Sequence, residues 1–230
     1  MRVAWGILAV TGVLLAGTNA RAQAPVTTPD TQADPSIQLA LETCFKCHGA
    51  GGVSRIPSRP TIAGQSADYI ASQLHAFRRA ALSVKPGTKP QVRSDPIMSH
   101  MAEGMTEKQI WPLAQAVSAL ACDGGATPDQ QPKPLVMPKA GARCVACHGA
   151  DGVARQPGIP NLAGQRRAYL RRELLLIRES AWGAEPRENE SWRSHPIMER
   201  EAARISISDV DALARYYASL NCRGNQPATQ

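Results

Sequence analysis

An all-α protein made of two tandem copies of one small domain is what this 230-residue sequence predicts. Three observations carry that reading. The chain matches itself without a gap when shifted by 100 positions. Each copy sets apolar residues at helical spacing. No stretch sustains the period-two alternation of a half-buried strand, so strands should be few.

The first 24 residues stand apart from the fold. Met1 and Arg2 give a positive end, residues 3–17 form an apolar run, and Ala22-Gln23-Ala24 follows as a small-residue cleavage site. That pattern predicts a secretory signal cut after Ala24. The apolar run is shorter than the roughly 20 residues of a membrane span, so the expected product is exported and periplasmic. Residues 25–230 then divide into a first domain (25–122), a linker (123–138) and a second domain (139–230). The linker rests on the Pro, Gly and Gln content of "DGGATPDQQPKPLVMPKAG". Aromatics are only 4% of the chain. Two ordinary cores would lack large side chains, and a bound apolar cofactor would supply the volume.

The repeat can be followed residue by residue. Cys44, Cys47, His48, Gly49, Gly52 and Arg55 recur as Cys144, Cys147, His148, Gly149, Gly152 and Arg155. Pro60, Gly64, Gln65 and Tyr69 recur as Pro160, Gly164, Gln165 and Tyr169. Pro96-Ile97-Met98 recurs as Pro196-Ile197-Met198, and Cys122 as Cys222. A period this long marks a duplicated domain rather than a solenoid unit.

Within each copy the helices follow in order. A short helix over 36–44 leads into the first cysteine motif. Residues 66–79 place Tyr69, Ile70, Leu74 and Phe77 on one face, and 166–179 place Tyr169, Leu170, Leu174 and Ile177 at the matching positions. The last helices begin near Thr106, with Gln109 three residues on, and near Ser206, with Asp209 three residues on. Both resemble capping boxes, the second loosely because Asp replaces Glu or Gln.

"CFKCH" (44–48) and "CVACH" (144–148) carry the chemistry. Two cysteines three apart on one helical turn can bond the two vinyl groups of one haem, and the next residue, His, is then held beneath the iron. A structural zinc site would need a second ligand pair in each half, and none exists. A redox C-x-x-C would sit near a βαβ pattern, and a disulfide would not explain the following His and Gly. Two covalently bound haem c groups are therefore expected, on Cys44, Cys47 and His48 and on Cys144, Cys147 and His148.

The repeat also selects the ligand on the far side of each iron. In the second half only Met198 follows the haem motif, and its counterpart is Met98. Both lie in Pro-Ile-Met, where Pro fixes the entering backbone. A thioether there favours Fe(II) and raises the potential. His100, Met101 and Met105 correspond to Arg200, Glu201 and Ile205 and cannot serve both halves. Met101 and Met105 are read as packing. His75, His100 and His195 lack repeated partners and are read as exposed or locally bonded, with His100 kept as an alternative ligand because it lies so near Met98. Cys122 and Cys222 are open to two readings, an interdomain disulfide or two buried thiols.

These motifs, with the sequence "AGQ", a later Tyr and a C-terminal helix in each copy, resemble the class I cytochrome c fold. Two copies behind a signal resemble the dihaem cytochrome c4 family, over almost all of residues 25–230. The resemblance implies two small all-α domains, each wrapping one His/Met haem, with the haem propionates facing each other. It also implies that carbonyls near Pro60 and Pro160 steer His48 and His148. Four features depart from the pattern, the first being the loops over 81–95 and 181–195, which are longer than expected and could be partner-specific. Pro112 lies inside the last helix of the first half, where it should kink or loosen a turn. Tyr216 and Tyr217 have only Ala116 and Val117 opposite them. The paired Cys122 and Cys222 are not associated with the family.

The expected function is a periplasmic electron carrier with no catalytic residues of its own. Its partners would be redox proteins: a membrane oxidase or bc1-type complex and periplasmic dehydrogenases. Peripheral membrane association is open to it, and a monomer is expected. The alternatives are a cytochrome subunit of a periplasmic dehydrogenase complex, or a dihaem enzyme such as a peroxidase or thiosulfate dehydrogenase. The formal net charge is +7. Without Arg2 and Arg21, 24 basic and 19 acidic residues leave +5, all of it within 131–230. An exported chain with no basic stripe interleaved with aromatics excludes nucleic acid as a partner. Arg166, Arg167, Arg171 and Arg172 are either a steering face for a redox partner or a solvated helix face.

Overall fold

The structure is a computed structural model that describes residues 34–82, 93–122, 133–185 and 190–222. The predicted signal and residues 123–132 of the predicted linker lie outside it.

The first half begins with helix α1 (Pro35–His48). Asp34 caps it by accepting the Ser36 N–H at 2.9 Å, and Pro35 occupies the first turn, where its missing N–H costs nothing. Gly49 ends it at φ 86°, and a single 3₁₀ turn (Ala50–Gly52) follows. A Cβ at Gly49 would collide with the Val53 carbonyl oxygen, so the glycine after the motif is required by its conformation and its surroundings. Then come α2 (Ala67–Leu82), β1 (Arg93–Ser94), α3 (Pro96–Glu103) and α4 (Glu107–Ser118). The second half repeats the order. A 3₁₀ turn (Lys139–Arg143) and a short α5 (Val145–His148) stand in place of α1. They lead to α6 (Arg167–Ala181), β2 (Trp192–Arg193), α7 (Pro196–Ala202) and α8 (Ile207–Ser219). The helix expected over 36–44 thus runs on through the motif to His48.

Both expected caps form. Thr106 and Gln109 make a full capping box, and Ser206 accepts the Asp209 N–H at 3.1 Å. Pro112 lies on the exposed face of α4, and the helix continues past it to Ser118.

In the first half α2 packs on α3 and α4, and α1 crosses α4. The core joins Ile37 and Leu41 of α1, Ala71 and Leu74 of α2, and Ile110, Leu113, Ala114 and Val117 of α4. In the second half α6 packs on α7 and α8, around Ile205, Val210, Leu213, Tyr216 and Tyr217. The two tyrosines pack edge to face, 5.1 Å between ring centres, where the first half has Ala116 and Val117. Tyr216 also donates to the Ala150 carbonyl at 3.1 Å, tying α8 to the loop after the second motif. Among the described residues the only sheet is β1 against β2, antiparallel, with Arg93 opposite Arg193 and Ser94 opposite Trp192.

Candidate haem-binding sites

Helix α1 exists to deliver three side chains from its last turn. Cys44 and Cys47, three apart, share a face, and His48 is buried at the helix end. The His48 Nδ1 lies 2.9 Å from the Pro60 carbonyl oxygen, and the His148 Nδ1 lies 3.0 Å from that of Pro160. A carbonyl only accepts, so Nδ1 carries the proton and Nε2 keeps its lone pair. Burial pushes both imidazoles below their ordinary pKa, against the opposing pull of the carbonyl, and Arg59 adds to the lowering at His48. Each ring is therefore neutral, oriented and able to ligate. The carbonyls themselves are positioned by a tight return of the chain. Gly52 O accepts the Ile62 and Ala63 N–H groups at 2.8 and 3.2 Å, and Gly152 O accepts those of Leu162 and Ala163 at 2.8 and 3.1 Å.

Cys44, Cys47, Cys144 and Cys147 take no part in a disulfide, which leaves each pair to bond a haem. Burial raises the Cys44 and Cys144 thiols above their ordinary pKa. The buried Tyr217 hydroxyl is raised likewise, by burial and by the Cys144 thiol, and has no nitrogen or oxygen partner among the described residues. Paired thiols, a neutral buried imidazole with a free Nε2 and half-buried Met98 and Met198 form a donor set that fits a covalently bound haem in each half.

The methionines sit at the starts of two short helices. Met98 packs against the first core, and Asp95 caps α3 by accepting the Ile97 and Met98 N–H groups, both at 3.1 Å, with one carboxylate oxygen. Burial alone would raise the Asp95 pKa; bonds from Ser191, Met98 and Arg172 outweigh it and hold the carboxyl below its ordinary value. At α7 the cap is His195, whose Nδ1 accepts the Met198 N–H at 3.4 Å.

The neighbouring candidates separate clearly. His100 is 83% exposed and lies 3.8 Å from Glu103. His75 pairs with Glu107 at 3.5 Å. Met105 packs against the first core, beside which Ile205 is its buried counterpart in the second. Met101 does not pack: it is exposed, because position 101 falls on the outer face of α3.

Between the two halves lies a contact that the sequence reading did not foresee. The Gln165 side chain accepts the Thr61 N–H and donates to the Thr61 carbonyl, both at 2.8 Å. Gln65 does the same to Asn161, at 2.8 and 2.9 Å. Next to this clasp, Cys122 and Cys222 form a disulfide with Cα atoms 5.8 Å apart, which settles their open assignment. Further along, buried Glu173 pairs with Arg93 at 2.9 Å and with Arg193 at 3.0 Å. Tyr69 and Tyr169 complete the cluster, accepting from Arg193 at 2.9 Å and from Arg93 at 3.0 Å. Burial alone would weaken the Arg93 charge, but Glu173 and the tyrosines outweigh it and raise its pKa. The signal for these residues was present: Gln65, Tyr69 and Arg93 each recur 100 positions on as polar side chains.

The basic face of α6 is not a free one. Arg172 turns inward to Asp95 of the first half at 3.0 Å and to Ser191 at 2.7 Å, and Arg167 pairs with Asp211 at 2.8 Å. Of the four arginines read as a steering or a solvated face, Arg172 and Arg167 are thus held by carboxylates.

Residues 36–118 and 139–221 each match the cytochrome c family model. A thiosulfate dehydrogenase electron acceptor of Stutzerimonas stutzeri is 29% identical over 192 residues, covering 79% of this chain and 80% of that protein. Cytochrome c4 of Pseudomonas aeruginosa is 26% identical over 192 residues, covering 80% and 87%. The crystal structure of reduced recombinant cytochrome c4 from Pseudomonas stutzeri aligns with a TM-score of 0.61 at 27% identity, over 81% of this chain and 97% of that one. Two duplicated motifs, two matched donor sets and an all-α tandem fold lead to one conclusion: the chain belongs to the cytochrome c family, as a dihaem member of the cytochrome c4 type with two covalently bound haem c groups.

Proposed function

We propose that this dihaem electron carrier works in the periplasm and holds its irons between His48 and Met98 and between His148 and Met198. One observation supports the ligand sets above others. In both halves the imidazole is pinned at Nδ1 by a proline carbonyl, and in both the methionine sits at the capped start of a short helix exactly one repeat apart in sequence.

A bound haem supplies a one-electron Fe(II)/Fe(III) couple. The chain's part is to keep geometry constant across that change. The Pro60 and Pro160 carbonyls hold each ring in one tautomer and orientation. The caps on α3 and α7 hold each thioether. The glutamine clasp, the disulfide and the arginine cluster fix the separation of the two sites, so an electron crosses between halves that do not rearrange. With His48 and Met98 holding one haem and His148 and Met198 the other, neither would be open to substrate, and the chain would act as a carrier rather than as a catalyst.

Redox titration of the holoprotein, followed by optical and EPR spectra, tests this. Two haems should each show the Met-to-Fe(III) charge-transfer band. Met98→Ala and Met198→Ala should each remove about half of it, and the double variant all of it. A band that survives both substitutions would sink the ligand assignment.

A second reading concerns the electron donor. The Stutzerimonas stutzeri relative is named as an acceptor for thiosulfate dehydrogenase, and this chain would take electrons from a periplasmic dehydrogenase in the same way. Thiosulfate with a thiosulfate dehydrogenase should reduce both haems in stopped flow. Turnover of thiosulfate by this chain alone, with ferricyanide as acceptor, would make it an enzyme instead.

A further inference from the structure

The carboxylate that caps α3 has two oxygens, and they serve different halves of the molecule. Asp95 Oδ1 accepts the Ile97 and Met98 N–H groups. Its Oδ2 accepts from the Ser191 hydroxyl at 2.6 Å and from Arg172 Nη2 at 3.0 Å. Arg172 Nη2 also donates to the Ser191 hydroxyl at 2.7 Å, which closes a triangle. Just before Asp95, Ser94 lies opposite Trp192 in the β1–β2 ladder. Both the backbone that enters α3 and the side chain that caps it are thus held from the second half.

The ladder holds the backbone entering α7 in the same way, but among the described residues no side chain of the first half braces the cap of α7. At the position equivalent to Asp95 stands His195, exposed, which caps Met198 through a 3.4 Å contact. At the position equivalent to Arg172 stands Ser72, whose hydroxyl donates to the Tyr69 carbonyl of its own helix at 2.8 Å. Glu199, beside Met198, is held within its own half by Ser180 and Ser194, both at 2.6 Å.

We propose that Arg172 and Ser191 of the second half, acting through Asp95, are positioning residues for Met98 at the first iron, whereas the cap of Met198 has, among the described residues, no such side-chain brace from the first half. The proposal rests on the reading of Met98 as the distal ligand. A carboxylate locked by two charge-assisted bonds presents a fixed acceptor to the Met98 N–H. Released from them, it is free to change rotamer, and the first turn of α3 loosens with it. Met98 should then yield more readily to a competing ligand.

The test uses holoprotein and imidazole as the competitor. Met198→His leaves the first iron as the sole source of the Met band, and Met98→His leaves the second. In the first background, Arg172→Gln and Ser191→Ala should each make imidazole bind about fivefold more tightly, the size expected for a weakened cap, with Arg172→Lys restoring part of the loss. In the second background the same substitutions should leave imidazole affinity unchanged. Ser191→Ala keeps the test open should Arg172→Gln fold poorly. Equal changes at both irons would mean a general loosening and overturn the proposal, as would no change at the first iron. A Met98→His protein that keeps both Met bands would instead overturn the ligand reading, and this inference with it.

Discussion

Replacing Cys122 and Cys222 by serine tests how much of the stability of this chain lies in joining its halves. The disulfide spans 100 residues of sequence, and those residues are the linker and nearly all of the second half. Cross-linking the ends of a loop of about 100 residues removes unfolded-state entropy equivalent to about 4.7 kcal/mol at 25 °C on the chain-entropy model. Serine is no larger than cysteine, so it introduces no clash where Cys222 packs on Gly164, a site with no room even for an added Cβ (2.8 Å from the Cys222 Cβ). The loss should therefore report the cross-link. Guanidinium unfolding of the oxidised holoprotein, read by far-UV circular dichroism, measures it without a thiol reductant that would also reduce the haems. Cys122→Ser, Cys222→Ser and the double variant should each lose about 4 to 5 kcal/mol. They should lose the same amount, because one substitution already breaks the bond. A loss under about 1 kcal/mol would refute the entropic account. Single losses that add in the double variant would show that the sulfurs act separately, by packing.

Two further expectations follow from named contacts. Gln165→Ala orphans the buried Thr61 N–H and carbonyl, at roughly 1–3 kcal/mol for each unpaired group; denaturation should show a loss of about 2 kcal/mol or more, and a loss near zero would mean that water replaces the clasp. The Arg167 hydrogen bond, with Arg215 adding to it, holds the Asp211 carboxyl below its ordinary pKa. A lowered folded-state value means that this contribution is present above the ordinary carboxylate pKa and is lost as pH falls through the lower one. Asp211→Asn should flatten the acid limb of a melting-temperature curve below about pH 4, slightly because the site is exposed and less at high salt; an unchanged limb would refute it.

Local chemistry was legible in the sequence; meetings between distant surfaces were not. The motifs at 44–48 and 144–148 announce their geometry because the groups involved are neighbours on one turn. The shift of 100 made Met98 and Met198 identify each other. Thr106 and Ser206 were readable as caps since a cap is settled within four residues. Gln65 and Gln165, by contrast, recur visibly, but nothing local says that each side chain reaches backbone about 100 residues away. Arg172 read as part of a basic helix face, and only the docking of α6 beside β1 turns it inward to Asp95. Met101 was assigned to packing on side-chain type, and the rotation of α3 places it in solvent instead.

The pairing of Arg93 with Arg193 in the β1–β2 ladder has a consequence for how two identical motifs become different. Equivalent residues face each other there, the clasp is reciprocal, and the disulfide joins two positions that are the same in each copy. This is the self-complementary interface of a two-fold homodimer, written into one polypeptide. A homodimer must carry the same residue on both sides of its axis. A fused chain is released from that rule. Gln73 can stand where the other half has Glu173, so one carboxylate serves two arginines, and Asp95 can stand where the other half has His195. Fusion thus gives each iron its own surroundings, an inequality that two separately encoded but identical protomers have no means to write down.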